Sequence, residues 1–94
     1  MPEHFNKLSP AEAERLAMLA EECGEIIQVV GKILRHGYES YHPQNPHETN
    51  RDLLANEVCD LLAVVQMMDG DFNVGGGLDP DEAVAKKLRF AHHQ

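Results

Sequence analysis

Ninety-four residues with a formal charge of −8 and no tryptophan suffice for one domain with an aliphatic core, near the lower end of the size at which a chain builds its own. The acidic balance excludes a general affinity for a nucleic-acid polymer, whose phosphates would repel the chain. No apolar run approaches the ~20 residues of a membrane span, so no membrane partner is expected.

Two cysteines are too few for a disulfide scaffold, and no secretory leader pattern precedes the chain, so a cytoplasmic protein is expected. Cys23 and Cys59 read as small buried thiols.

Ser9-Pro10-Ala11-Glu12 reads as a helix start, with a serine N-cap, proline at the first helical position and a glutamate closing a capping box. From it, Leu16, Leu19, Cys23, Ile26, Val30 and Ile33 recur at alternating spacings of three and four. That spacing predicts one buried stripe over about five turns, as far as His36-Gly37, where the glycine supplies a left-handed cap. Gly24 and Gly31 lie inside this helix at a cost of ~1 kcal/mol each relative to alanine. Close approach by a neighbouring helix or a ligand is the expected reason.

Residues 37 to 48 contain Pro43 and Pro46 and read as a loop, long for a helical bundle and of the kind that carries binding segments. Thr49 or Asn50 then caps a second helix, whose apolar positions from Leu53 to Met68 cover roughly half its circumference. That width predicts a central helix. A turn through Asp69-Gly70-Asp71 and the glycines at 75 to 77 leads to a second capping box, Asp79-Pro80-Asp81-Glu82. The last helix is expected to turn Ala83, Val84, Leu88 and Ala91 inward and to leave Lys86, Lys87, Arg89 and His92 for solvent or ligand.

The expected fold is therefore all-α, a single domain over residues 1 to 94. It has two long antiparallel helices plus a short C-terminal helix. Three helices leave the second one incompletely covered, so a homodimer or homotetramer that completes a four-helix-type bundle is expected.

Two acidic pairs stand inside the apolar runs: Glu22-x-x-Glu25 on the first long helix and Glu57-x-x-Asp60 on the second. Residues three apart share a helix face, so packing the helices together would gather four carboxylates in one volume. Two unit charges ~5 Å apart at an effective dielectric of ~20 repel by about 3 kcal/mol, which calls for a compensating cation. Neither pair has a lysine or arginine one turn away; Lys32, two turns beyond Glu25, is the nearest on that face. The alternatives are a solvated acidic face and a structural ion-pair network. With oxygen the only donor, the ion indicated is Mg²⁺, with Mn²⁺ able to substitute. Glu21 is placed further from the core, where a solvent-exposed side chain is expected, with an acceptor role beside the cluster as the alternative. The histidines at 36, 42, 47, 92 and 93 lack zinc spacing.

Leu19-Ala20-Glu21-Glu22-Cys23-Gly24-Glu25 and Asn56-Glu57-Val58-Cys59-Asp60-Leu61-Leu62 resemble the two motifs of the MazG-like branch of the all-α nucleoside triphosphate pyrophosphohydrolases. The resemblance covers about residues 12 to 90. It implies Glu22, Glu25, Glu57 and Asp60 as Mg²⁺ ligands and catalytic residues. Lys32, Lys87 and Arg89 are implied as contacts to substrate phosphate, the last two across a dimer. The implied reaction is hydrolysis of a ribo- or deoxynucleoside triphosphate at the α–β bond.

Two features depart from the family pattern: a long segment between the motifs, and few aromatics to sandwich a base beyond Tyr38, Tyr41 and Phe90. A phosphoribosyl-ATP pyrophosphohydrolase of the same superfamily is an alternative, but Leu61-Leu62-Ala63-Val64 stands where that enzyme carries Tyr-His. A non-catalytic nucleotide-binding helical regulator is a further alternative. A di-iron bundle would need Glu-x-x-His on core helices, which this chain lacks.

Overall fold

The chain folds as its caps direct. Ser9 Oγ accepts from the Glu12 N–H at 3.1 Å while Glu12 Oε1 accepts from the Ser9 N–H at 2.9 Å, closing the capping box that starts α1 (Pro10–His36). Gly37 ends it at φ 89°, with its N–H donating to Ile33 O. The φ is positive as expected, but ψ is extended, so the chain leaves the helix directly into the loop. In the computed structural model, residues 5–72 and 79–93 are described.

Thr49 caps α2 (Asn50–Phe72): its Oγ1 accepts from the Asp52 N–H, and Asp52 Oδ2 accepts from the Thr49 N–H. The expected turn at Asp69-Gly70-Asp71 is not made, because α2 continues through it to Phe72. One helical glycine costs only ~1 kcal/mol, and Asp71 is held by Arg15 across the hairpin at 3.6 Å. The glycine run at 75 to 77 lies outside the described residues. Asp79 Oδ1 accepts from the N–H groups of Asp81 and Glu82 to start α3 (Pro80–Leu88).

The described residues are all helical apart from turns and one isolated bridge, Tyr41 with Thr49. None of the helices is long and apolar enough to cross a membrane.

α1 and α2 pack antiparallel. The Arg15–Asp71 pair closes one end, and at the other the buried Asn50 donates from Nδ2 to Gly37 O at 3.1 Å while its N–H donates to Ser40 O. The long loop is pinned between these helix ends. Arg51 stacks over the Tyr38 ring at 4.4 Å and binds Glu39 at 2.6 Å.

Among the described residues, Val29, Val64 and Met68 are the buried apolar side chains between the helices. Around them Met18, Leu19, Ile26 and Ile33 of α1 and Leu53, Leu54, Leu61 and Val65 of α2 are half-buried.

Several expectations are corrected here. Of the stripe read on α1, Leu19, Ile26 and Ile33 turn inward, but Leu16, Cys23 and Val30 are exposed and Val29 takes the deepest place. The apolar sector of α1 is wider than one neighbour can cover, and α2 covers only the half centred on Val29 and Glu22. Cys23 and Cys59, expected to be buried, are exposed free thiols.

α2 likewise keeps Val58, Leu62 and Met67 exposed, so within one chain it is not central. A side chain at Gly24 would meet nothing, and one at Gly31 only Arg35 of the same helix, so neither glycine serves a close approach within the chain. α3 packs against neither α1 nor α2, and Ala83, Val84, Leu88 and Ala91 are exposed rather than inward.

Candidate metal centre

The inward face of α1 carries Glu22 and Glu25 one turn apart, and α2 brings Glu57 against them. Carboxylate oxygens of the three lie within 4.8 Å of one another. Each residue is half-buried, and Glu22 Oε2 and Glu57 Oε2 are buried with no hydrogen-bond partner. The local sequence explains the placement. Val29, Ile26 and Leu19 must face α2, and a helix that turns them inward carries Glu22 with them.

The electrostatics follow from the crowding. The Glu57 carboxyl is pushed up to about 7, chiefly by the hydrogen bond it shares with Glu25, then by loss of solvent and the charges of Glu25, Asp60 and Glu22. Glu22 is also raised, by loss of solvent first and then by the charges of Glu25, Asp60 and Glu21.

No cation offsets them. Among the described residues the ion pairs are Arg15 with Glu14, Arg15 with Asp71, and Arg51 with Glu39, none of which involves the cluster. A structural ion-pair network, one of the alternatives above, is thus not what holds these acids together.

Asp60 stands one turn beyond Glu57, exposed and outside the group whose oxygens converge. Its charge nonetheless pushes both Glu22 and Glu57 upward, so it borders the cluster.

Lys32 lies on the same side of α1 as Glu25, about 10 Å further along at 1.5 Å per residue. There it lines a cleft of about 540 Å³ with Arg35, His36, Tyr41, His42, Asn50 and Leu53. Leu53 is one turn from Glu57, so the cleft adjoins the acids. Lys87 and Arg89 are not brought to it, because α3 packs on neither long helix. Tyr38 is engaged by Arg51, and Phe90 is exposed.

The reading of the sequence missed Arg35, His36 and His42 as partners of Lys32. The signal for the first two was present in the i, i+3, i+4 spacing of Lys32, Arg35 and His36 at the end of α1. His42 comes from the loop, whose course no local pattern reveals.

Chemically, three converging carboxylates, two of them with an unpartnered oxygen, offer a hard, oxygen-only donor set beside a cleft lined by Lys32, Arg35, two histidines and one acid, Glu48. Comparison with known proteins adds nothing to this geometry: no protein-family model, curated protein or solved structure matches the chain.

Proposed function

We propose that the chain is a divalent-metal-dependent nucleoside triphosphate pyrophosphohydrolase, releasing nucleoside monophosphate and pyrophosphate. The observation that carries this reading is the meeting of Glu22, Glu25 and Glu57 from two helices, with two buried oxygens unpartnered and no cation paired with them among the described residues. The likeness of both acidic motifs to the MazG-like enzymes supports it.

The donor set fits Mg²⁺ or Mn²⁺, ions that prefer carboxylate oxygen. Glu22, Glu25 and Glu57 would hold the ion with Asp60 at the border. When bound, it supplies neutralisation of the triphosphate and a water of lowered pKa.

The chain's own residues do the rest. Glu25 or Glu21 accepts the proton of the attacking water. Lys32 and Arg35 line the adjoining cleft and draw the phosphate chain across the acids, offsetting the charge that grows on the departing pyrophosphate. Tyr41 in the same cleft offers a face to the base. Lys87 and Arg89 serve the phosphates of a second copy, in a cytoplasmic homodimer or homotetramer.

Incubation with ribo- and deoxynucleoside triphosphates and Mg²⁺, followed by separation of products, tests the reading. Monophosphate with pyrophosphate is the expected outcome. Diphosphate with orthophosphate, or binding without turnover, would overturn it; the latter result belongs to a non-catalytic regulator.

A further inference from the structure

Lys32 and Arg35 answer phosphates, and the Tyr41 ring stacks on any base, since every base has a π-face. Choice between bases falls to the other polar groups of the cleft. Glu48, half-buried just ahead of α2, is the one carboxylate among the described lining residues. It forms no ion pair with Lys32 or Arg35 of the same cleft.

Two amides hold this carboxylate instead. Asn45 Nδ2 donates to Oε1 and Asn56 Nδ2 donates to Oε2, each at 3.5 Å. The loop builds the first contact, because the Asn45 N–H donates to His42 O at 2.8 Å and the Glu48 N–H to Asn45 O at 3.3 Å. The second ties the carboxylate to α2, one residue before Glu57. An ionised carboxylate offers about four lone-pair sites, so each oxygen keeps acceptor capacity. Asn45 Nδ2 likewise keeps one hydrogen. The array therefore runs donor, acceptor, acceptor, through Asn45 Nδ2, Glu48 Oε1 and Glu48 Oε2. His42 adds a donor rather than a competing acceptor: its Nδ1 accepts from the Gln44 N–H at 3.1 Å, so the neutral ring carries its hydrogen on Nε2.

Among the common bases this order has one complement. Guanine presents O6, N1–H and the N2 amino group side by side, an acceptor followed by two donors. Adenine and cytosine set a single amino donor beside a ring nitrogen that only accepts, and uracil and thymine set one N–H between two carbonyls. Each of these turns a lone pair toward a Glu48 oxygen and leaves the carboxylate short of a partner.

We infer that the cleft selects guanine nucleotides and that Glu48 sets the choice, its two oxygens accepting from N1–H and N2–H while Asn45 Nδ2 donates to O6. The inference rests on the reading that the cleft takes the nucleotide whose phosphates reach the acids, and it names the base. A hydrogen bond to a charged acceptor is worth about ten-fold or more in such a choice.

Steady-state kcat/KM with Mg²⁺ for GTP, ITP, XTP, ATP, CTP and UTP tests it, together with calorimetric binding of the α,β-methylene analogues of GTP and ITP, which have no cleavable α–β bond. GTP is expected to exceed ITP, which lacks only the 2-amino group, by about ten-fold or more in both readouts, and to exceed ATP, CTP and UTP. Glu48→Gln replaces one acceptor with a donor. Preference should then pass from guanine to xanthine, whose O2 takes that donor while its N1–H still meets the remaining oxygen.

Equal values for GTP and ITP in the wild type would overturn the inference, and that comparison decides the matter even if the variant unfolds. A Glu48→Gln protein that keeps guanine first, or that loses activity on all bases alike as a purely structural role requires, would overturn it too. Tighter binding of the guanine analogue with no triphosphate cleaved would uphold the guanine site and overturn the proposed reaction. Cleavage without base preference would do the reverse.

Discussion

Metal binding at the acid cluster should depend on pH in a way that Glu57 sets. Its carboxyl is pushed up to about 7 in the metal-free fold, chiefly by its hydrogen bond with Glu25 and by loss of solvent. A cation must displace that proton, so binding weakens as pH falls. For one competing proton with a pKa of about 7, the apparent affinity at pH 6 is about ten-fold lower than at pH 8. Titration calorimetry with Mn²⁺ at the two pH values, repeated in buffers of different ionisation enthalpy, reads both the affinity change and the proton released. Glu57→Gln removes the titrating group and should leave weaker binding that no longer varies over this range. An affinity equal at pH 6 and pH 8 in the wild type would refute the reasoning. So would an unchanged pH dependence in the Gln variant.

Further expectations concern turnover and stability. Glu22→Gln and Asp60→Asn should each lower Mg²⁺-dependent turnover by ~100-fold or more with helical circular dichroism intact; full activity in both would sink the assignment of the acids. Without metal, stability should fall as pH rises. From its ordinary 4.5 up to about 7, Glu57 holds more protons folded than unfolded, so ionising it opposes folding. Thermal melts in EDTA from pH 5 to 8 check the direction, and added Mg²⁺ should raise the melting temperature more at pH 8 than at pH 5. Asn50→Ala leaves the Gly37 carbonyl without its side-chain donor and should cost about 1–3 kcal/mol in urea unfolding. A neutral outcome there would mean that the loop is not anchored through Asn50.

The helix ends and the acid pairs were legible because their signals are local. Ser9 with Glu12, Pro10 and Gly37 bound α1 by backbone chemistry that needs no partner. The pairing of Glu22 with Glu25 follows from the spacing of one turn. What sequence could not settle was rotation. Leu16, Cys23 and Val30 belong equally to the stripe containing Leu19, Ile26 and Ile33 and to the one containing Ala20, Ile27 and Leu34. Only the position of α2 decides which stripe is the inner one. That same rotation sets Asp60 at the rim while Glu57 is drawn in. The cleft was hidden because Tyr41 and His42 reach it from a loop whose course depends on Asn50 and Arg51 binding back to residues 37 to 40. The exposed apolar side of α3 was misread as inward because periodicity shows that a face is apolar, not what it meets.

Anomalous diffraction from crystals grown with Mn²⁺ near pH 8 bears most directly on the claim that the acids of both helices gather round a divalent ion. The expected result is a peak bounded by Glu22, Glu25 and Glu57, with oxygens at about 2.1–2.3 Å as for a hard divalent cation. A Mn²⁺ ion bound elsewhere, with these three carboxylates turned to solvent or paired with a lysine or arginine, would contradict it.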